Sequence, residues 1–258
     1  MPEGDTIAYA ANRLRPVLEG RVPDEIRTPH PRHALDRLPT RLAGRAVSGI
    51  DTHGKHLFIG FEGGLVLHSH LRMTGAWRVY RRGRRWGRAP SRAWLVLRVT
   101  DQEVVQFDGP LLELLTEGRR RFDQRLAALG PDVLASQFDV EAFLQRLRRA
   151  DATRTVGDAL LDQSTVAGIG NFWKAEGCWE ARVDPWRALA DVSDREAIAV
   201  IDAIRPRMLH AAQFGSRTLE PRVHRRAGRP CPRCATAITA RGQGDANRTT
   251  YWCPGCQS

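Results

Sequence analysis

No stretch of this 258-residue chain approaches the roughly 18 consecutive apolar residues of a membrane-spanning helix, which excludes a helical integral membrane protein. The start also lacks the charged-then-apolar layout of a signal peptide, so a cytoplasmic location is expected. Lysine is almost absent. Of the 40 basic residues only Lys55 and Lys174 are lysines. Where arginine serves as the generic cation, a retained lysine marks a position that needs a titratable point charge; Lys55 is taken as such a position and Lys174 is left open. Acidic residues are in deficit, at 29 against 40 basic, giving a net charge of +11 and a pI near 10.5. That excess points to a polyanionic partner, with nucleic acid favoured over a membrane surface. Intrinsic disorder is excluded as well, because 42% hydrophobic and 27% charged residues describe a globular chain.

Five cysteines are present, and four are grouped. Cys231-Pro-Arg-Cys234 and Cys253-Pro-Gly-Cys256 form two CxxC knuckles with the layout of a tetrahedral four-thiolate zinc site. Two disulfides are the competing reading, and they suit an oxidising compartment. A single Zn2+ here is expected to be structural, since four thiolates leave no open coordination position. Between the knuckles, Ala240 to Asn247 reads as a hairpin tip and Arg248-Thr249-Thr250-Tyr251-Trp252 as its returning strand. Arg248 is then placed to grip a phosphate. Cys178 is the odd cysteine and reads as a buried small hydrophobe.

The chain opens Met1-Pro2-Glu3-Gly4-Asp5. Removal of Met1 frees a secondary amine at Pro2, which condenses with an aldehyde carbon to an iminium that has no N–H proton to lose and so persists as an electron sink. Helical spacing follows from Thr6 to Leu18, with Asp5 as the expected N-cap. From Ala46 to about Val105 the pattern changes to short β-branched runs separated by turns such as Gly54-Lys55 and Gly63-Gly64, which predicts an antiparallel sandwich. The arginine-rich insert Arg81 to Arg92 reads as a basic loop between strands, either solvated or in contact with DNA. Helical spacing returns after Gly130-Pro131-Asp132 and continues to about Ala212. Within it, Val156 to Gln163 and Phe172 to Ala181 are expected helices joined by Ser164 to Asn171, and Asn171 at a helix start is either an anion-site candidate or a simple N-cap. These patterns predict an α+β multidomain protein. An N-terminal β-sandwich domain spans 1–115, a linker 116–129, a helical domain 130–222 and a zinc finger 223–258.

The Pro2-Glu3 terminus, Gly54-Lys55, the Gly168-Ile169-Gly170-Asn171 turn and the four-cysteine finger with Arg248 occur in this order over essentially the whole chain. Together they resemble the formamidopyrimidine-DNA glycosylase/endonuclease VIII family, and the one-piece Met1-Pro2-Glu3-Gly4 start favours the endonuclease VIII branch. The resemblance implies excision of an oxidised base from DNA followed by strand cleavage at the abasic site, with the N-terminal sandwich domain catalytic and the helical domain DNA-binding. It implies that Pro2 attacks the sugar C1′, that Glu3 assists ring opening as an acid, and that Lys55 holds a phosphate at the lesion. Asn171, from a helix-two-turns-helix element, and Arg248, from the zinc hairpin, would grip flanking phosphates, with the active site in a cleft between domains. A base must leave the duplex for this chemistry, and the loop His70-Leu71-Arg72-Met73-Thr74-Gly75 would fill the vacancy with Arg72 and Met73, with His70 and Thr74 also on the DNA. Met73 and Leu71 have a rival reading as core, the more serious for Leu71.

Two departures from the family pattern bear on substrate. Thr6 stands where a second glutamate is frequent, and Gln106-Phe107-Asp108-Gly109-Pro110 lacks the arginine and phenylalanine of the formamidopyrimidine branch. Oxidised pyrimidines are therefore the expected substrate. A monomer acting on damaged DNA in the nucleoid, with no membrane partner, completes this reading. The alternative is a non-catalytic zinc-finger protein that binds distorted DNA, which keeps the charge, the finger and the grips and discards the terminus.

Overall fold

The computed structural model describes residues 2–33, 35–216 and 219–257. The chain divides into two compact units, one of residues 1–2 and 6–127, the other of residues 3–5 and 128–258.

The first unit carries most of helix α1 (Gly4–Leu18) and two four-stranded antiparallel sheets. One sheet has the order β1 (Glu25–Arg27), β6 (Ala93–Val99), β7 (Gln102–Phe107), β5 (Ala76–Arg81). The other has the order β2 (Val47–His53), β3 (His56–Phe61), β4 (Leu65–His70), β8 (Leu111–Thr116). A short helix, α2 (Leu38–Leu42), precedes β2. One core joins α1 to both sheets: Ile7, Leu14 and Leu18 pack with Leu57, Ile59, Leu67, Leu95 and Leu97. Period-2 alternation places Leu57, Ile59 and Phe61 in that core, while His56 and Phe58 face the other side of their sheet with His68 and His70 of β4. Helix α1 begins at Gly4, two residues earlier than the spacing predicts, so Asp5 lies in the first turn and is not the N-cap. The cause is remote in sequence: the Gly4 N–H donates to Gly168 O at 2.8 Å. Two short helices, α3 (Glu117–Arg121) and α4 (Gln124–Ala127), occupy much of the segment read as a linker.

The second unit contains α5 (Val140–Arg149), α6 (Val156–Ala159), α7 (Asn171–Glu180) and α8 (Asp194–Phe214), followed by a hairpin of β9 (Thr239–Gln243) and β10 (Arg248–Trp252). Helix α6 is one turn rather than the predicted Val156 to Gln163, because Gln163 folds back to donate to the Leu161 and Ile169 carbonyls and accepts from Gly168 N–H. Helix α8 is started by a capping box between Ser193 and Glu196. Helix α7 is the platform. Trp173 and Cys178 pack into the helical core, whereas Ala175 and Trp179 pack against Val223, Cys231, Ile238 and Cys253 of the cysteine module. Burying a helix on both faces requires that its charged residues be matched, and they are. Glu176, fully buried, accepts from the backbone N–H groups of Arg222, Val223 and His224 at 2.9 to 3.1 Å and pairs with Arg207 at 3.4 Å.

Candidate active site and nucleic-acid grips

Glu3 directly follows Pro2 and is 4% exposed. Its Oε2 accepts from Gly170 N–H at 2.8 Å and Trp173 N–H at 3.3 Å, and its Oε1 accepts from Phe172 N–H at 2.9 Å. These donors are the unsatisfied amides of the first turn of α7, where the aligned peptide dipoles favour negative charge. Gly170 is the N-cap, and it has to be glycine: a Cβ there would lie 2.3 Å from Glu3 Cδ, a side chain held by three hydrogen bonds and unable to give way. Gly170 of the Gly168-Ile169-Gly170-Asn171 turn thus admits a carboxylate against bare backbone, while Gly168 adopts a positive φ of 105°. Pro2 is half-buried.

Asn171 opens α7, one residue after the cap. Its Nδ2 donates to Thr249 O at 2.7 Å, which places it beside Arg248, the exposed first residue of β10. The structure therefore brings Asn171 and Arg248 together, with the Asn171 amide fastening the hairpin that carries the arginine. One turn on, the fully buried Lys174 donates to Gln243 Oε1 at 3.0 Å and to Thr250 Oγ1. Burial lowers its pKa from 10.5 to about 8. Gln243 in turn donates to Thr155 Oγ1 and Pro185 O, so the hairpin is cross-linked to three segments of its unit. Lys174 is a positioning residue that sequence reasoning left open; its scarcity as a lysine was the available signal.

The four cysteines are free thiols, and their sulfurs all lie within 4.8 Å of one another. Cys231–Cys256 and Cys234–Cys253 Sγ separations are 3.8 and 3.4 Å. Tetrahedral zinc at about 2.3 Å from each sulfur sets neighbouring sulfurs about 3.8 Å apart, so the cluster fits one metal ion rather than two disulfides. Trp179 Nε1 donates to Cys231 Sγ at 3.3 Å and ties the cluster to α7.

In the first unit Lys55 sits on the turn between β2 and β3, half-buried. Its charge and that of Arg72, after burial itself, hold the His70 pKa down to about 4. His70 Nδ1 accepts from Arg72 N–H at 3.1 Å, so the ring proton of neutral His70 resides on Nε2 as a donor. Beyond β4 the loop folds tightly: Gly75 N–H donates to Leu71 O at 2.9 Å, and a Cβ on Gly75 would lie 2.7 Å from that same oxygen. Leu71 is core at 2% exposed, as its rival reading held, while Arg72 and the 65%-exposed Met73 stand at the tip. Thr74 braces the loop through Oγ1 to Asp108 O at 3.3 Å.

A chain of imidazoles beside this loop went unnoticed in the sequence. His68 Nδ1 lies 2.8 Å from Glu113 Oε1, and His68 Nε2 lies 2.8 Å from His56 Nδ1. Glu113, paired with Arg125 at 3.2 Å, accepts; His68 therefore donates from Nδ1 and accepts at Nε2, and His56 donates from Nδ1 and keeps its Nε2 lone pair. Burial holds both rings neutral, pushing His56 down to about 3 and lowering His68. The two-residue spacing His68-Ser69-His70 on a strand was the signal, since it sets both rings on one face.

Residues 1–122 match the formamidopyrimidine-DNA glycosylase N-terminal domain, and residues 129–222 match the H2TH domain of the same enzymes. The chain is 40% identical, over its whole length and 94% of the relative's, to the probable endonuclease 8 2 of Streptomyces coelicolor. It is 34% identical, over its whole length and 99% of the relative's, to the DNA-(apurinic or apyrimidinic site) lyase Nei2 of Mycolicibacterium smegmatis. It is similar in structure to Lactococcus lactis formamidopyrimidine-DNA glycosylase bound non-covalently to DNA containing an abasic site, with a TM-score of 0.84, 25% identity and 99% of each chain covered. The two domain matches and the full-length relatives together show that the chain belongs to the formamidopyrimidine-DNA glycosylase/endonuclease 8 family of DNA-repair glycosylases and abasic-site lyases.

Proposed function

We propose that this chain excises oxidised bases from DNA, pyrimidines favoured, and cleaves the strand at the resulting abasic site through a Schiff base on Pro2. The observation that carries this reading is Glu3, a buried carboxylate with both oxygens occupied by N–H donors, one peptide bond from the Pro2 nitrogen.

The secondary amine freed by loss of Met1 adds to C1′ of the damaged nucleotide as the bond to the base breaks. The nitrogen then carries a proton it must lose before the ring can open. Glu3, positioned as an acceptor, takes that proton and returns it to the sugar ring oxygen as the C1′–O bond breaks. What remains is a cationic iminium between Pro2 and C1′, which acidifies C2′ and permits elimination of the 3′ phosphate. Water then releases the enzyme. Lys55 and His70 supply an ammonium and an imidazole N–H to phosphate oxygens at the lesion, and Arg72, Met73 and Thr74 present the wedge that replaces the extruded base. Asn171 and Arg248 bind flanking phosphates. Cys231, Cys234, Cys253 and Cys256 would hold one structural Zn2+, whose chemistry when bound is to fix the hairpin and with it Arg248. The protein acts as a nucleoid-associated cytoplasmic monomer.

The test is incubation of the mature protein with abasic-site DNA in the presence of borohydride. A reduced covalent protein–DNA adduct is expected. Absence of an adduct with protein shown by mass spectrometry to begin at Pro2 contradicts the reading and leaves the non-catalytic DNA-binding alternative. A set of duplexes each carrying one defined lesion then ranks pyrimidine against purine damage.

A further inference from the structure

The arginine-rich insert between β5 and β6 has no part in the chemistry above. With the outer face of its sheet it forms an open pocket of about 760 Å3 whose walls include Arg84, Arg85, Trp86, Arg88, Arg98 and Glu103. That volume lies within the range of small-ligand sites. The floor is built rather than incidental. Glu103, 3% exposed, accepts from Trp86 Nε1 at 3.0 Å and from Arg98 Nε at 2.7 Å, so the indole is pinned by its polar edge. Phe107 meets the Trp86 ring edge-on, with centroids 5.7 Å apart and planes at 82°. Arg98 is neutralised between Glu103 and Glu25.

Arg88 is also committed: it donates to Asp108 Oδ2 at 2.7 Å and to Thr74 O at 2.8 Å. This bond joins the pocket wall to the loop that exposes Arg72 and Met73. By contrast Arg84 and Arg85 are exposed, and among the described residues their side chains enter no ion pair. An oriented indole flanked by two uncommitted guanidinium groups matches a base with its adjoining phosphates. An acidic peptide would use the cations and leave the indole without a purpose.

We infer that this pocket binds a nucleotide of single-stranded DNA, with the base stacked on Trp86 and the adjoining phosphates held by Arg84 and Arg85. It rests on the proposed function only in taking DNA as the partner. The hydrogen bond from Arg88 to Thr74 makes the site continuous with the wedge loop, so a strand opened at the wedge has a second foothold in the same unit. Stacking on an aromatic ring is sequence-tolerant, and the site reads no base identity.

The experiment measures binding of an undamaged oligothymidylate to the full chain by fluorescence anisotropy over a series of salt concentrations, which requires no catalysis. R84Q/R85Q is expected to weaken binding about tenfold and to reduce the slope of log affinity against log salt by about 1.4, at about 0.7 per phosphate released. Trp86→Leu is expected to weaken binding about tenfold with the slope retained. Arg149 and Arg195, exposed elsewhere on the chain, provide R149Q/R195Q as a charge-matched control expected to bind as the wild type. Equal loss in that control assigns the effect to the overall field and overturns the site. Normal binding by a folded Trp86→Leu, or equally tight binding of an oligoglutamate, overturns the nucleotide assignment. If Trp86→Leu does not fold, R84Q/R85Q against its control decides. Loss of borohydride trapping with oligothymidylate binding intact would instead refute the proposed catalytic function alone.

Discussion

The start of α7 and the loop after β4 are both candidate functional surfaces, and they are built in opposite ways. At α7 the charged and amide side chains are anchored within their unit: Glu3 to three amides, Asn171 through its Nδ2 to Thr249, Lys174 to Gln243 and Thr250, and Glu176 to the 222–224 backbone. In the loop after β4 only the frame is fixed, by Gly75 to Leu71 and Thr74 to Asp108, while Arg72 and Met73 project into solvent. The difference fits the tasks proposed for them. A proton-transfer group must sit within a few tenths of an ångström of its target before the substrate arrives, because reorganisation at the moment of reaction raises the barrier. A wedge meets a duplex whose stacking it disrupts, and it gains from side chains not already bound to protein.

The largest effect that sharpens this contrast is expected at Glu3. Glu3→Gln leaves the hydrogen-bond frame nearly intact but replaces one acceptor oxygen with an amide facing N–H donors and removes the proton carrier. Base excision should fall at least about 100-fold with DNA affinity largely retained, read from single-turnover kinetics beside anisotropy. Undiminished excision would strip Glu3 of its role.

Next in size is the cysteine cluster. Cys253→Ser, or removal of the metal with a chelator, should unfold the hairpin and weaken DNA binding while the unfolding transition of the sandwich is preserved. Arg248→Ala should lose only one phosphate contact, reducing the salt slope on duplex DNA by about 0.9, and a larger loss than this from Cys253→Ser confirms that the hairpin acts as a unit.

Lys174 gives a smaller, pH-dependent signature. Its pKa is about 8 in the folded chain against 10.5 ordinarily, so between those values the unfolded chain binds more protons and stability rises with pH. Lys174→Met should abolish that rise and cost about 1–3 kcal/mol at neutral pH, because Gln243 and Thr250 lose a buried partner. Denaturant titrations at several pH values measure both.

The histidines carry the same trend, stability rising with pH, into the acid range. His56, His68 and His70 are held below the ordinary 6.5, with His56 at about 3 and His70 at about 4. Stability they contribute is present above pH 6.5 and is lost as pH falls toward those lower values, where neutral buried rings must charge. Thermal melts of the wild type between pH 7 and 4 should show this decline, and His56→Gln should flatten it.

What was legible in the sequence was local. The CxxC knuckles announce their cluster because the ligands of each pair are three positions apart, and the β3 and β4 runs announce themselves by period-2 alternation. The contacts that escaped join residues far apart in the chain. Glu3 meets the α7 amides across some 170 positions, and the equally distant bond from Gly4 N–H to Gly168 O accompanies a start of α1 at Gly4 rather than Thr6. Likewise nothing near Glu113 in sequence indicates that it fixes the tautomer of His68, 45 positions away. Asn171 was found through its glycine-flanked turn, but its hold on the Thr249 carbonyl required the hairpin's placement.

The scarcity of lysine makes the central claim open to a direct measurement. Only Pro2, Lys55 and Lys174 offer amines to an abasic-site aldehyde once Met1 is removed, so proteolysis of the borohydride-reduced adduct followed by peptide mass analysis assigns the attachment point without ambiguity. The account predicts the deoxyribose remnant on the Pro2 peptide. Its appearance on Lys55 or Lys174 with Pro2 unmodified would contradict it.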